Sequence, residues 1–347
     1  MFVIRPITHE NVRSIEKFMS DDLLGITSLP RNKHFLHQKL NSSLSSFSKE
    51  ITEPKDEQYY FVLENIQTGE VGGLCGIESK TGVGTPNHTY RLERILAPET
   101  DLPVPRKQLI LRHITQSNGP TEIGSLYILP SFRKEGLGRL VSLSRFLFMA
   151  CFPQRFDVKT VAEMRGYTDE KARCPFWNGL GRHFLNIEFE ELMNLLEDIK
   201  DTIHLIVPEY PIYVSLLSEE TQKAIGRVHL NTQPALNLLM QEGFALTDEV
   251  DLFDAGPKID VITSEIRSIK QSRVATIQDL SHTPIESDRY IISNTRMNFC
   301  ACYSNISILE GNRVIIPSEV GHALGVREGD QIRYVASSTK TSSKEGA

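Results

Sequence analysis

Cysteine is scarce in this sequence, and its spacing excludes two common kinds of site. The 347 residues include five scattered cysteines: Cys75, Cys151, Cys174, Cys300 and Cys302. A disulfide framework needs a denser set, and a structural zinc site usually shows ligands in C-x-x-C pairs. Cys300 and Cys302 share one face of a predicted strand, and we interpret them as two buried thiols. We therefore expect free cysteines and a reducing compartment.

Long hydrophobic runs and an excess of positive charge are also absent. No apolar run approaches the roughly 18 residues that a membrane-spanning helix needs, and the N-terminus does not read as an export signal. The formal net charge is −6, whereas nucleic-acid binding needs a concentrated basic face. We expect a cytoplasmic protein that binds neither membrane nor nucleic acid, with room for a local basic pocket that holds a phosphorylated ligand.

Helix and strand signals are mixed along the chain. Strands are predicted at residues 2–5, 59–63, 71–77, 123–129, 160–164, 250–253, 290–292 and 305–309, and helices at 10–18, 31–47 and 234–242. This order favours an α+β fold in which helices flank a mixed sheet. The segment 254–257 marks a predicted boundary between an N-terminal region, 1–257, in which helices and strands alternate, and a β-rich, barrel-like subdomain, 258–347. Segment 166–226 is either an insertion or a second half-domain, and the chain from about 337 is predicted to fray.

The most informative stretch runs from Glu122 to Leu140. A buried strand leads into the loop Arg133-Lys134-Glu135-Gly136-Leu137-Gly138, and an amphipathic helix follows with Leu137, Leu140, Val141, Ser144, Leu147, Phe148 and Cys151 on one face. Glycines let the backbone approach an anion, and the free N–H groups of a first helical turn favour negative charge. Arg133, Lys134 and Arg139 add positive charge. The loop therefore predicts a phosphate-binding site.

Two motifs carry a resemblance to a known superfamily. The succession of strand, Arg-x-x-Gly-x-Gly loop and helix resembles the coenzyme A pyrophosphate loop of the GCN5-related N-acetyltransferases. The run from Asn231 through Ala235 to Gly243-Phe244 is similar to their Asn-x-x-Ala helix beside the thiol end of the coenzyme. The resemblance implies a GCN5-related acyltransferase fold, with residues 1–257 as the acyl-CoA transferase region. It also implies contacts to the coenzyme by Leu126, Arg133, Lys134, Gly136, Leu137, Gly138 and Arg139.

A narrower resemblance covers most of the chain. Blocks at 143–150, 161–166, 175–181, 211–213, 226–229 and 251–257 resemble the arginine N-succinyltransferase family. That resemblance implies transfer of succinyl from succinyl-CoA to the α-amine of L-arginine, the first step of arginine degradation by the succinyltransferase route. It also implies an oligomer of identical or related subunits and no permanently bound cofactor. The runner-up is a GCN5-like acetyltransferase acting on another small amine, such as ornithine or a polyamine.

The resemblance assigns a proton-donor role to His229. Amine attack on a thioester expels a thiolate, which gains from protonation, and a histidine can supply that proton. The alternative is a structural histidine at a strand end. The family usually continues His-Pro, but Leu230 follows here, and Arg227 replaces a common glutamine. Leu126 would contact succinyl-CoA through its backbone, where a free N–H can stabilise the oxyanion.

Two charged residues end the predicted strand at 160–164. A carboxylate matches a guanidinium and an arginine matches a carboxylate, so we assign the arginine substrate to Glu163 and the succinyl carboxylate to Arg165. An internal Glu–Arg pair or a solvated strand end is an equally good interpretation. Trp177 is expected to pack against the 166–226 segment rather than to line a site.

The remaining sequence offers a metal and a DNA alternative, and we reject both. The other nine histidines show no metal-ligand spacing, so no metal is expected. Residues 312–335 resemble the strand–helix–strand pattern of AbrB-type DNA-binding modules. The stretch 310–335 nevertheless has no excess of positive charge, and a DNA-binding face without one gains little from phosphates. We therefore interpret the C-terminal region as a structural appendage.

Overall fold

The computed structural model describes residues 1–20, 32–96, 107–199, 202–203 and 207–337. The predicted frayed tail after residue 337 lies outside this part of the chain.

The strands of the described residues form one sixteen-stranded sheet. Their bounds are β1 Phe2–Pro6, β2 Gln58–Asn65, β3 Glu70–Glu78, β4 Asn87–Leu96, β5 Lys107–Gln116, β6 Thr121–Ile128, β7 Lys159–Glu163, β8 Ile212–Tyr213, β9 Ala245–Asp251, β10 Pro257–Ile262, β11 Arg273–Ser281, β12 Arg289–Asn294, β13 Ala301–Asn305, β14 Ser307–Leu309, β15 Arg313–Pro317 and β16 Gln331–Ala336. The run predicted as one strand at 305–309 is two strands.

Helices lie on both faces of this sheet. Their bounds are α1 Val12–Ser20, α2 Lys33–Ser48, α3 Leu137–Cys151, α4 Pro175–Gly179, α5 Arg182–Leu185, α6 Phe189–Ile199, α7 Glu219–Ala224, α8 Gln233–Gln241, α9 Arg267–Lys270 and α10 Ser318–Leu324. Asn32 begins α2 by accepting the His34 N–H at 2.8 Å, as N-caps do.

The sheet is mixed, and β1 joins its two halves. The strand order is β14-β15-β11-β16-β12-β13-β1-β2-β3-β6-β7-β10-β9-β4-β5-β8. Most neighbours are antiparallel, while β6–β7 and β11–β15 are parallel. The predicted α+β fold, with helices flanking a mixed sheet and a β-rich C-terminal part, is confirmed.

The predicted boundary at 254–257 falls inside the sheet. The strand that follows it, β10, pairs with β7 and β9 of the first region, and the C-terminal half of the sheet begins at β11. The division into 1–257 and 258–347 stays a prediction. The 166–226 segment supplies α4 to α7 and the short strand β8, which pairs with β5, and its origin as an insertion or a half-domain stays open.

Helix α3 differs from its predicted amphipathic form. Leu143, Phe146 and Met149, outside the predicted apolar face, are as buried as Leu140 and Leu147. The reason is non-local, since α9 and the C-terminal strands β12, β13 and β16 contact this helix in addition to β3. The helix is therefore enclosed between the two halves of the sheet, and its first turn is fixed where β6 ends.

Candidate functional site

The loop between β6 and α3 adopts the geometry of an anion site. Glu135 (φ +54°) and Gly136 (φ +75°) are both left-handed, and Gly136 begins α3. Within the described residues, the N–H groups of Glu135, Gly136 and Gly138 donate to no protein acceptor. A Cβ added at Gly138 would meet nothing closer than 3.5 Å, so an anion can approach this backbone.

Cationic side chains surround the same loop. Arg133 and Lys134 are exposed, and Arg133 Nε donates to the Ile128 carbonyl at 3.1 Å. Arg139 donates through Nη2 to Gln241 Oε1 at 3.1 Å. Its Nη1 is buried without a hydrogen-bond partner in the described part of the chain. A buried, unsatisfied guanidinium N–H costs free energy until an acceptor reaches it, and a diphosphate oxygen would satisfy it.

Strand β6 separates from its parallel neighbour after two residue pairs. The β6–β7 register contains Thr121↔Thr160 and Glu122↔Val161, whereas β6 continues to Ile128 along β3. The ladder with β3 shifts beside Ser125, whose φ is +52°. This bulge and the loss of pairing leave an opening on the β7 side of β6. Leu126 follows the bulge on the strand that borders the opening.

The buried side chain of Arg145 supports this bulge through hydrogen bonds to its backbone. The side chain is only 2% exposed, and its Nη1 donates to the carbonyls of Gly124 (3.2 Å) and Gly76 (3.4 Å). Its other nitrogens bond Ser142. Among the described residues no carboxylate pairs with it. A buried cation without a counter-ion costs free energy. Here the backbone carbonyls of Gly124 and Gly76 compensate part of that cost by accepting its hydrogen bonds.

His229 lies just beyond the end of β7. Its N–H donates to the Arg165 carbonyl at 3.0 Å, next to an antiparallel bridge between Gly166 and Val228. The Asn231 N–H donates to His229 Nδ1 at 3.1 Å, so the neutral ring carries its proton on Nε2. Burial, and then the Arg165 charge, lower the pKa of His229. The ring is half-buried and presents an Nε2–H donor.

An acidic cavity occupies the α2 side of the sheet. Its volume is about 280 Å³, and its lining includes Lys39, Gln58, Glu78, Glu122, Glu163 and Asp251. Gln58 Oε1 is buried there without a hydrogen-bond partner in the described residues. The cavity therefore offers several oxygen acceptors to a cationic ligand.

Burial destabilises the ionised forms of two carboxyl groups in the cavity, those of Glu122 and Glu163. Burial, and then the charges of Glu163 and Glu78, raise the pKa of Glu122 well above its usual range. Burial also raises the pKa of Glu163, although Lys258 opposes the shift. Lys258 Nζ lies 3.6 Å from Glu163 and 3.3 Å from Glu249. An added cation would stabilise the ionised carboxylates.

The structure brings together some of the sequence-predicted residues. Glu163 lines the acidic cavity, while Arg165 and His229 are not among its described lining residues and are joined to each other by their backbones. Leu126 lies on the bulged strand, and Arg133, Lys134, Gly136, Leu137, Gly138 and Arg139 form the loop and first turn of α3. Trp177 is buried in the core of the 166–226 segment, where Nε1 donates to the Ile187 carbonyl at 2.9 Å.

Sequence reasoning missed several residues of the site. Glu122, Asp251 and Lys258 come from three separate strands, and Arg145 lies outside the predicted apolar face of an amphipathic helix. The one signal available was a charged residue at the start of an otherwise apolar strand, which Glu122 shows. In the described ranges, no three His, Cys, Asp or Glu side chains are grouped to hold a metal, and no helix there is long and apolar enough to cross a membrane. His204 lies outside those ranges.

Comparison with known proteins places the chain in a family. Residues 2–268 match the model of the arginine N-succinyltransferase beta subunit, and residues 273–336 match that of its C-terminal domain. The arginine N-succinyltransferases of Salmonella schwarzengrund (strain CVM19633) and Salmonella agona (strain SL483) are each 35% identical over 337 residues, which cover 96% of this chain and 97% of theirs.

A solved structure agrees with this match over nearly the whole fold. Arginine/ornithine succinyltransferase subunit AI from Pseudomonas aeruginosa superimposes with a TM-score of 0.88 and 32% sequence identity, covering 98% of this chain and 99% of that one. The predicted family and the predicted acyltransferase class are confirmed. The chain belongs to the arginine N-succinyltransferase family.

Proposed function

We propose that this chain transfers the succinyl group of succinyl-CoA to the α-amine of L-arginine, as the first step of arginine degradation. One observation carries the proposal: β6 runs from the acidic cavity at Glu122 to the phosphate loop after Ile128. The strand between these two ends spans about 20 Å, so a coenzyme that is held at the loop and follows the strand directs its thioester toward the cavity. The donor and acceptor sites are therefore the two ends of one strand.

The donor is held by the phosphate loop. The N–H groups of Glu135, Gly136 and Gly138 bind the diphosphate, because they have no protein acceptor within the described residues. The cationic side chains of Arg133, Lys134 and Arg139 in the same loop and first turn add charge complementarity. The pantetheine arm then follows the opening between β6 and β7. This places the thioester carbonyl beside the bulge, where the Leu126 N–H stabilises the oxyanion.

The chemistry is a direct attack without an acyl-enzyme. The neutral α-amine adds to the thioester carbon and forms a tetrahedral oxyanion. Collapse of this intermediate forms the amide bond, breaks the C–S bond and releases the amine proton to solvent. Because its Nδ1 accepts the Asn231 N–H, the neutral His229 ring directs its Nε2–H at the departing sulfur and stabilises the developing thiolate through a hydrogen bond. The thiolate then takes a proton from solvent, which balances the proton that the amine releases.

The acceptor is recognised by charge. Glu163 and Glu122 bind the guanidinium in the acidic cavity, and Arg165 binds the succinyl carboxylate. An ornithine ammonium is the second candidate, since an acidic cavity also accepts a compact cation and the Pseudomonas aeruginosa relative is named for both substrates. The proposal also places the enzyme in the cytoplasm, supported by five unpaired cysteines, and in an oligomer, supported by the naming of related proteins as subunits.

An acyl-CoA panel tests the assignment. Free thiol release is measured for succinyl-CoA and acetyl-CoA against arginine, ornithine and polyamines. We expect succinyl-CoA with arginine to give the highest kcat/KM, because that pair satisfies both Arg165 and the acidic cavity. Faster turnover of acetyl-CoA with a polyamine would overturn the substrate assignment and leave the fold unaffected.

A further inference from the structure

The C-terminal half of the sheet contacts the phosphate loop directly. Tyr303, on β13, donates its hydroxyl to the Gly136 carbonyl at 3.0 Å. Arg289, at the start of β12, donates through Nη1 to the Glu135 carbonyl at 3.1 Å. These contacts span more than 150 residues of sequence and end on two consecutive peptide groups of the loop. We call the two side chains the clamp.

The two side chains of the clamp also contact each other. The Arg289 guanidinium carbon lies 3.7 Å from the centroid of the Tyr303 ring, a cation–π distance. The register of β12 and β13 pairs Arg289 with Asn305 and Ile291 with Tyr303, so the two side chains are diagonal neighbours on one face. The strands thus fix both groups relative to each other before they meet the loop.

Peptide geometry connects the clamp to anion binding. In a trans peptide the carbonyl of one residue and the N–H of the next point in opposite directions. A guanidinium that holds the Glu135 carbonyl therefore turns the Gly136 N–H to the other side, and that N–H is one of those without a protein acceptor. The Tyr303 hydroxyl likewise keeps the Gly136 carbonyl away from the open face.

Positive charge is concentrated around the same point. Arg139 on the first turn of α3 and Arg289 on β12 both act on Tyr303, and their charges oppose the rise that burial causes in its pKa. Arg139 Nη1 is buried without a hydrogen-bond partner in the described residues. An anion bound at the loop would supply the missing acceptor. Arg289 is exposed and adds a second guanidinium at its rim.

We propose that Arg289 and Tyr303 are positioning residues for coenzyme A, so that the C-terminal region is a working part of the donor site rather than an appendage. The inference rests on the proposed function and extends it. The clamp holds two left-handed residues, Glu135 and Gly136, in the one conformation that aims their N–H groups at the diphosphate. Its loss weakens coenzyme binding and spares the arginine site.

The test compares Arg289→Ala, Arg289→Lys and Tyr303→Phe with the control Arg313→Ala in the full-length protein. Arg313 is an exposed arginine of the same half of the sheet, bonded to the Glu310 backbone carbonyl at 3.0 Å. It lies on β15, which β11 and β16 separate from β12 in the strand order. Calorimetry gives the Kd of free coenzyme A, steady-state kinetics give KM for each substrate, and a thermal melt gives Tm.

We expect Arg289→Ala to raise the Kd of coenzyme A and the KM of succinyl-CoA about tenfold, the effect of losing one charged hydrogen bond. Tyr303→Phe should raise both less, Arg289→Lys should restore part of the affinity, and the KM of arginine and the control should not change. An Arg289→Ala or Tyr303→Phe protein that binds coenzyme A like the parent refutes the proposal. Binding without turnover in the parent would instead refute the proposed reaction, so the two failures are distinguishable.

Discussion

His229 is oriented by two backbone groups on opposite sides. Its own N–H bonds the Arg165 carbonyl, and its Nδ1 accepts the Asn231 N–H. A ring held in this way can serve only through Nε2, which in the neutral ring is a donor. Leu230, where the family resemblance leads us to expect proline, takes part in neither contact, because its side chain is exposed.

Replacing the imidazole tests this donor role. We expect His229→Ala to lower kcat about 100-fold or more, the usual effect of removing a positioned hydrogen-bond donor that stabilises developing negative charge, with the Kd of coenzyme A nearly unchanged. His229→Gln should recover part of the rate, because its amide also carries an N–H donor. The exposed His183→Ala is the control. An unchanged kcat in His229→Ala would remove the residue from the mechanism.

Glu163 is the sequence-predicted residue with the clearest cavity position. Burial raises its pKa, so the ionised form that binds a guanidinium needs a higher pH than an ordinary glutamate, and arginine binding should strengthen as pH rises through that range. We expect Glu163→Gln to raise the KM of arginine about tenfold or more and to flatten its pH dependence. The KM of succinyl-CoA should stay constant.

Steady-state kinetics across a pH series check this prediction. The matched control is Glu219→Gln, an exposed glutamate paired with Lys223 on α7. If Glu163→Gln and the control showed the same arginine KM, the acidic cavity would not be the acceptor site.

At the scale of single elements, the turn before α3 sets donor affinity. Gly136 has φ +75°, and a Cβ there would lie 3.3 Å from the Tyr303 hydroxyl. We expect Gly136→Val to raise the KM of succinyl-CoA, since the left-handed conformation costs a β-branched residue about 1–2 kcal/mol and the loop relaxes away from its binding form.

Gly69→Val is the matched control for the turn. Gly69 has φ +71° and open space around its Cβ position, so it suffers similar strain in the exposed β2–β3 turn. Both variants should lose stability in a thermal melt, but only Gly136→Val should lose coenzyme A affinity by calorimetry. Equal affinities in the two variants would contradict the loop assignment.

Local elements of this kind could be predicted from the sequence. The strand, turn and helix of the phosphate loop follow one another in the chain, and their periodicity and glycines suffice to place them. The hairpin of β4 and β5 could not be predicted from the sequence, because charged residues interrupt its alternation of apolar and polar residues. Arg112 and Glu93 pair across these strands at 2.8 Å, a partner that the fold alone supplies.

The parts of the site that come from distant segments of the chain could not be predicted from the sequence either. The cavity takes Glu122 from β6, Glu163 from β7 and Asp251 from β9, and no sequence spacing connects them. Arg145 lies on the predicted polar face of an amphipathic helix, but its side chain is buried against β3 and β6, where it bonds the Gly76 and Gly124 carbonyls. The clamp likewise depends on β12 and β13 reaching a loop far away in sequence.

At the scale of the whole molecule, the two halves of the sheet are tied by more than strand β1. Arg267, at the start of α9, donates to Glu242 Oε1 from Nε at 2.9 Å and Nη2 at 2.6 Å. The other Glu242 oxygen accepts the Ser268 N–H at 2.8 Å. Glu242 is fully buried at the end of α8, and Arg267 also reaches the Ala336 carbonyl of β16 at 3.5 Å. One ion pair thus connects α8, α9 and the last strand of the C-terminal half.

Breaking this pair should destabilise the protein as a unit. Glu242→Ala leaves a buried guanidinium uncompensated, which typically costs about 3–5 kcal/mol, whereas Glu265→Ala removes only the exposed partner of Lys270 and should change little. Urea unfolding, followed by two signals, checks this prediction. Far-UV circular dichroism reports the whole fold, and the fluorescence of Trp177, the single tryptophan, reports its surroundings. Trp177 reports the core of the 166–226 segment, which includes Tyr90 of β4, Leu111 of β5 and Val250 of β9. Because the sheet is continuous, both signals should shift together to lower urea in Glu242→Ala. If the Trp177 transition stayed at the parent midpoint while the circular dichroism shifted, the halves would unfold independently, and the C-terminal strands would not be an integral part of the catalytic fold.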